Sequence, residues 1–136
     1  MSDKRQLARI HRVRTLQLTL ARAEEARAHA QLATETQLAN RIAQLARNVA
    51  PQSGGAVSMG AAAHYRDRLT RSAQNAAWRV EGAEAELARA AEGARAAKRD
   101  QSAVEKLIER ADLEAVKREM KRLEDAPARP KRHNPC

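Results

Sequence analysis

The second half of the chain carries one uninterrupted apolar line. From Leu69, steps of four and three in alternation reach Ala73, Ala76, Val80, Ala83, Leu87, Ala90, Ala94, Ala97, Gln101, Val104, Ile108, Ala111 and Ala115, and thirteen of these fourteen positions are apolar. Moving the same template by one residue, to Thr70, Gln74, Ala77, Glu81 and onward to Val116, gives ten polar or charged positions out of fourteen. A repeat near 3.5 residues sustained over this length, with a polar flank, specifies one long helix that buries a narrow seam against another helix. Such an element has no pocket of its own, so binding surfaces are to be sought on its faces and ends.

The composition limits how thick the core can be. Hydrophobic residues make up 43% of the 136 residues, yet 31 residues are Ala and Phe is absent. Burying a Leu contributes about 1.5 to 3 kcal/mol and a single methyl roughly 0.8 kcal/mol, so an alanine seam stabilises mainly by letting backbones come close. A helical coiled coil is the expectation, in line with the richness in Ala, Glu, Lys, Leu and Arg. Lys and Arg number 26 against 17 acids, a formal charge of +9, which favours acidic partners. Arg12 and Arg14 interrupt any apolar core that residues 1–20 could offer a secretory signal, and nothing resembles a membrane span. A soluble cytosolic protein is expected. The six basic residues and one acid of the first 22 would also suit a mitochondrial presequence, but they continue into a helix of some fifty residues. Cys136 is the only cysteine, so no disulfide framework or paired thiolate ligand is available.

Punctuation along the chain divides it simply. A helix over residues 3–50 is expected, started by Ser2 or Asp3 and stopped by Pro51. Its register, Leu18, Ala21, Glu25, Ala28, Leu32, Glu35, Ala39, Ile42, Ala46 and Val49, is interrupted by Glu25 and Glu35, for which Arg71 or Arg79 of the other arm are candidate partners. Residues 51–60 hold Pro51, Ser53, Gly54, Gly55 and Gly60 and read as a connection. A second helix follows over 61–125, and the three prolines of 126–136 mark a disordered basic tail. A short connection returns the second helix antiparallel to the first. The fold class is therefore all-α, an antiparallel two-helix coiled-coil hairpin with an overhanging C-terminal helix end. Folding at residue 55 sets Val49 near Ala61 and Asp3 near Leu107, which leaves about eighteen residues, or about 27 Å, of the second helix unpaired.

That overhang changes register, because its apolar residues are Leu113, Val116, Met120 and Leu123, opposite Lys117, Arg118, Lys121 and Arg122. An apolar stripe without an intramolecular partner on a soluble helix implies that another protein covers it. Arg5, Arg9 and Arg12 stand at the same end of the hairpin, so these eleven residues form the candidate docking surface for an acidic partner. His11, His29, His64 and His133 lack metal-ligand spacing, and no metal or cofactor is expected. Tyr65 and Trp78, the only aromatics, are too few for a base-stacking platform and read as packing or rim residues.

Several segments resemble the FliJ family of flagellar export proteins: Leu7 to Gln17, the Glu24-Glu25 pair before alanine-rich helix, Tyr65-Arg66-Asp67-Arg68-Leu69, and Lys98 to Arg110. The resemblance implies a cytoplasmic antiparallel coiled coil, peripheral at the cytoplasmic face of the inner membrane, that serves the flagellar type III export apparatus. It further implies three partners: the hexameric export ATPase, whose ring assembly such proteins promote; the membrane export gate; and export chaperones. Family members often end in an acidic segment, whereas here Glu124-Asp125 gives way to the proline-rich basic tail.

Two other readings stand beside this one. The pI near 10.8 would suit a nucleic-acid-binding protein, but Glu81, Glu84, Glu86 and Glu92 interleave with the bases and no DNA-binding motif is present. A coiled-coil adaptor for another machine fits the same pattern. Enzymatic activity and a small-molecule substrate are not expected, since a helical hairpin brings no acid, base and nucleophile together.

Overall fold

A computed structural model describes residues 2–48 and 56–127 of the chain, with side chains from residue 3 to 48 and from 59 to 127. Two helices account for nearly all of it: α1 spans Ser2–Asn48 and α2 spans Ala56–Asp125. They pack against each other as an all-α hairpin, and no strand occurs among the described residues. The connection is shorter than expected because α2 starts at Ala56, so that residues 56–60, with Gly60 among them, are helical. A lone glycine costs a helix only about 1 kcal/mol, which the alanines that follow offset. Both helices run without interruption, since Ala, Leu, Arg, Glu and Gln lose little side-chain freedom in a helix. Pro127 ends α2, because the residue before a proline is pushed out of the helical region. The tail beyond it, with Arg129, Lys131, Arg132, His133 and Cys136, lies outside the described residues, as do residues 51–55 of the connection expected at 51–60.

The hairpin separates into two compact units, one formed by Leu16–Lys98 and the other by Met1–Thr15 with Arg99–Cys136. In the first unit the α2 line is the seam. Leu69, Ala76, Ala83 and Ala94 are buried, Ala73, Val80, Leu87, Ala90 and Ala97 half-buried, and the flanking Thr70, Gln74, Glu81 and Glu84 exposed. On α1 the buried Leu18 begins a line of half-buried residues, Ala21, Glu25, Ala28, Leu32, Glu35, Ala39, Ile42 and Ala46. Ala28 and Ala90 line one shallow groove, as antiparallel arms require. Among the described residues only Ala76, at 1% exposure, is almost wholly enclosed. The seam therefore works by close approach of small residues.

Glu35 does not reach Arg71 or Arg79. One carboxylate oxygen accepts from Gln31 Nε2 at 3.0 Å on its own helix, and the other is buried without a partner. Arg71 pairs with Asp67 at 3.1 Å. Pairing within a helix orders fewer side-chain bonds than a reach across the seam, and each exposed pair with the acid N-terminal contributes about 0.2 to 0.5 kcal/mol. Glu92 with Arg95, at 3.2 Å, and Glu86 with Arg89 follow the same rule.

The terminal unit is closed differently. Its α1 side consists of Leu7, Ala8, His11, Arg14 and Thr15, and its α2 side of Gln101, Val104, Ile108 and Ala111. Polar pairs tie the two: Gln101 Nε2 donates to Thr15 Oγ1 at 3.1 Å, Arg14 meets Asp100 at 3.3 Å, His11 meets Glu105 at 3.3 Å, and Lys4 meets Asp112 at 3.4 Å. Three of these four pair residue i with 116 − i, which corrects the register expected from a fold at residue 55. The helices are offset because residues 59–68 of α2 are exposed, with Ala62 alone half-buried, so that α2's buried line begins at Leu69 and not at Ala61.

Among the described residues Gln101, 8% exposed, is the one buried polar residue, and a buried amide that loses a hydrogen-bond partner costs up to about 1 to 3 kcal/mol. Thr15→Val should therefore destabilise the protein by about that amount, and Thr15→Val with Gln101→Leu should recover most of the loss. Urea unfolding of the four proteins of this cycle measures both values, and a Thr15→Val protein as stable as the parent would contradict a seam fastened here by the amide.

Candidate docking surface

The corrected register shortens the overhang. Lys4 with Asp112 is the outermost tie between the arms among the described residues. Thirteen residues, 113–125, extend past it, about 20 Å at 1.5 Å per residue. Every one is exposed. The apolar stripe stands open to solvent, with Leu113 at 61% exposure and Leu123 at 71%, and Val116 and Met120 close to the first value. Glu109 and Asp112 edge it in a shallow depression that Leu113 and Val116 floor. All four apolar residues assigned from the sequence thus lie together on one helix face, covered by none of the described residues.

The four basic residues opposite the stripe are not equivalent. Arg118 bonds Glu114 at 3.7 Å and Arg122 bonds Glu119 at 4.0 Å, both along the helix. Lys117 and Lys121 are exposed and form no ion pair among the described residues. With Glu114, Glu119, Glu124 and Asp125 counted against Lys117, Arg118, Lys121 and Arg122, residues 113–125 carry no net charge. The overhang is therefore an apolar element with a charged back of no net charge, on which Lys117 and Lys121 are the cations without an ion pair among the described residues.

On α1, Arg5, Arg9 and Arg12 are all exposed and stand at i, i+4 and i+7 on one face. Like charges at these spacings repel, these three form no ion pair among the described residues, and residues 4–23 contain no Asp or Glu. Lys4 and Arg14, on the same arm, are held by Asp112 and Asp100. That acid-free run is a sequence signal for an anionic partner which the net charge alone conceals. The seam roles of His11, Arg14 and Thr15 were hidden too, since none is apolar; Gln101, the single polar residue on the α2 line, was the clue to a polar closure. Trp78, at 67% exposure, and Tyr65, at 48%, take rim positions in the other unit and pack into no core. An added Cβ at Gly82 or Gly93 would meet nothing within 4 Å, so neither glycine serves a close approach.

No helix among the described residues is long and apolar enough to cross a membrane. No family model, no characterised protein and no solved structure matches the chain. What this surface does is therefore argued from its own residues.

A stripe that touches nothing contributes little to folding, since surface changes away from packed features stay within about 0.5 kcal/mol. Leu113→Ser, Val116→Ser, Met120→Ser and Leu123→Ser should each leave the urea midpoint almost unmoved, whereas Leu18→Ala, at the buried seam, should cost about 2 to 5 kcal/mol. A large loss at Met120 or Leu123 would mean that the overhang packs on its own chain.

Proposed function

We propose that this chain is a non-enzymatic coiled-coil stalk component of a flagellar type III protein export apparatus, which promotes assembly of the export ATPase ring and couples it to the membrane export gate and to export chaperones. The observation that carries this reading is the bare overhang: thirteen residues with an ordered apolar stripe, held out past the last tie between the arms. The resemblance of the Leu7 to Gln17 and Lys98 to Arg110 segments to the FliJ family supports it, as does the antiparallel hairpin. In this reading the protein works in the cytoplasm, peripheral to the inner membrane.

The mechanism needs no catalytic group. A helix end whose apolar stripe seats against one arrangement of a ring's subunits better than another shifts the ring toward that arrangement by the difference in affinity. Leu113, Val116, Met120 and Leu123 supply the contact area. Lys117 and Lys121, the overhang's two cations without an ion pair among the described residues, set its orientation toward carboxylates. Arg118 and Arg122 have helix partners already and contribute less.

Copurification of the tagged chain with the export ATPase from the same cells tests the reading. Met120→Ser with Leu123→Ser should abolish recovery of the ATPase, Lys117→Glu with Lys121→Glu should reduce it severely, and Arg118→Gln should change it little. Full recovery with the apolar pair replaced would contradict a docking role for the overhang.

A further inference from the structure

The overhang carries a seam spacing of its own. Leu113, Val116, Met120 and Leu123 are separated by three, four and three residues, the alternation by which one helix packs on another, and they stand 56% to 71% exposed. Carried back toward the hairpin, the same spacing meets Glu109 and Lys106, so the apolar part begins at Leu113. Leu113 lies two residues past Ala111 and Val116 one past Ala115, turned by about 200° and 100° from the line that faces α1. The stripe is therefore free to receive a second helix along its whole length.

The flanks of this stripe differ in charge. Immediately before the first position of each repeat stand Glu105, Asp112 and Glu119; immediately after the second stand Arg110, Lys117 and Glu124. Arg110 and Lys117 are exposed and form no ion pair among the described residues. Glu105 gives one oxygen to His11 and Asp112 gives one to Lys4, which leaves each a second oxygen. One flank is thus acidic, and the other is basic until its last member.

We propose that a second copy of this chain covers the stripe, with the two overhangs packed in parallel. In a parallel pair related by a two-fold axis, each seam residue meets its counterpart, and the acidic flank of each copy lies on the basic flank of the other. Each flank residue before a repeat meets the one five places on in its neighbour, so Asp112 meets the partner's Lys117 and Glu105 meets the partner's Arg110. Symmetry makes each pairing twice. The exception is Glu119 on the partner's Glu124, a like pair in the last turn of α2. An antiparallel pair is worse: it sets Lys117 on Lys117 and Glu119 on Glu119, and keeps only Arg110 with Glu124. An anionic bilayer would meet a flank of three acids, and residues 113–125 have no net charge to draw it or nucleic acid. A different protein would have to match both flanks, which the chain already does for itself.

A contact about 20 Å long and one helix wide is smaller than the roughly 800 Å² per partner of a stable interface, so the pair is transient and forms in concentrated samples. Dilute chain, on which unfolding is read, stays single. The inference does not rest on the export reading, although a second copy and an ATPase ring would compete for the same stripe.

Sedimentation equilibrium of the full chain carrying Cys136→Ser, over a wide range of concentration, tests it without any other protein. The mass should rise from one copy towards two, less steeply as salt screens the flanks. Met120→Ser with Leu123→Ser should remove the rise at unchanged helix content. Lys117→Glu should weaken association roughly tenfold, because two opposite pairs become like pairs. Glu124→Lys should strengthen it roughly tenfold, because two like pairs become opposite, whereas an antiparallel pair would lose its contacts with Arg110 and weaken. A mass of one copy at every concentration, a limiting mass above two, association indifferent to the apolar change, or weakening by Glu124→Lys would each overturn the proposal. Its failure would leave the stripe bare for the ATPase, so the two readings stand or fall separately.

Discussion

The close approach that alanine permits is what the rest of the structure depends on. Ala76, Ala83 and Ala94 are buried along α2 with Ala73, Ala90 and Ala97 half-buried on the same line, and on α1 Ala21, Ala28, Ala39 and Ala46 recur on the facing line. Methyl groups at alternating intervals of three and four leave no thick core, so two helices satisfy the sequence only by lying close along their length. Leu18, Leu69 and Val104 are the larger side chains buried among them. Stability is thus spread thinly over many positions, and the outer faces are free to carry charge and contact residues without harm to the fold.

The terminal unit solves the same problem with different chemistry. Where the α1 line would need apolar residues it has His11, Arg14 and Thr15, and the facing arm answers with Glu105, Asp100 and Gln101. Exposed ion pairs contribute modestly, about 0.2 to 1 kcal/mol each, so these ties fix register more than they add stability. A polar group in a helical seam is a known device for that purpose. The tie of Lys4 with Asp112 then determines where the paired region ends and how much of α2 stands clear.

Much of this was legible in the sequence. Every buried residue on α2, namely Leu69, Ala76, Ala83, Ala94, Gln101 and Val104, lies on the line drawn from spacing alone, and the residues of the shifted template are almost all exposed. The exposure of Leu113, Val116, Met120 and Leu123 also follows from their change of register. The offset between the arms was not legible. Pro51 and the glycines around it signal a connection, but nothing local tells that helix resumes at Ala56 while contact with α1 waits for Leu69. Spacing also does not tell which cations of the overhang are held along the helix, as Arg118 is by Glu114 and Arg122 by Glu119.

The register is the claim on which both the overhang and the polar closure rest. Pulsed electron spin resonance, in a Cys136→Ser background, measures it directly: one nitroxide at Gln6, and the second in turn at Ala103, Arg110 and Lys117, each seven residues and about 10 Å from the next along α2. The shortest distance is predicted for Gln6 with Arg110, and longer, similar distances for the other two. A shortest distance at Ala103, or broad distributions with no short component for any pair, would contradict the account.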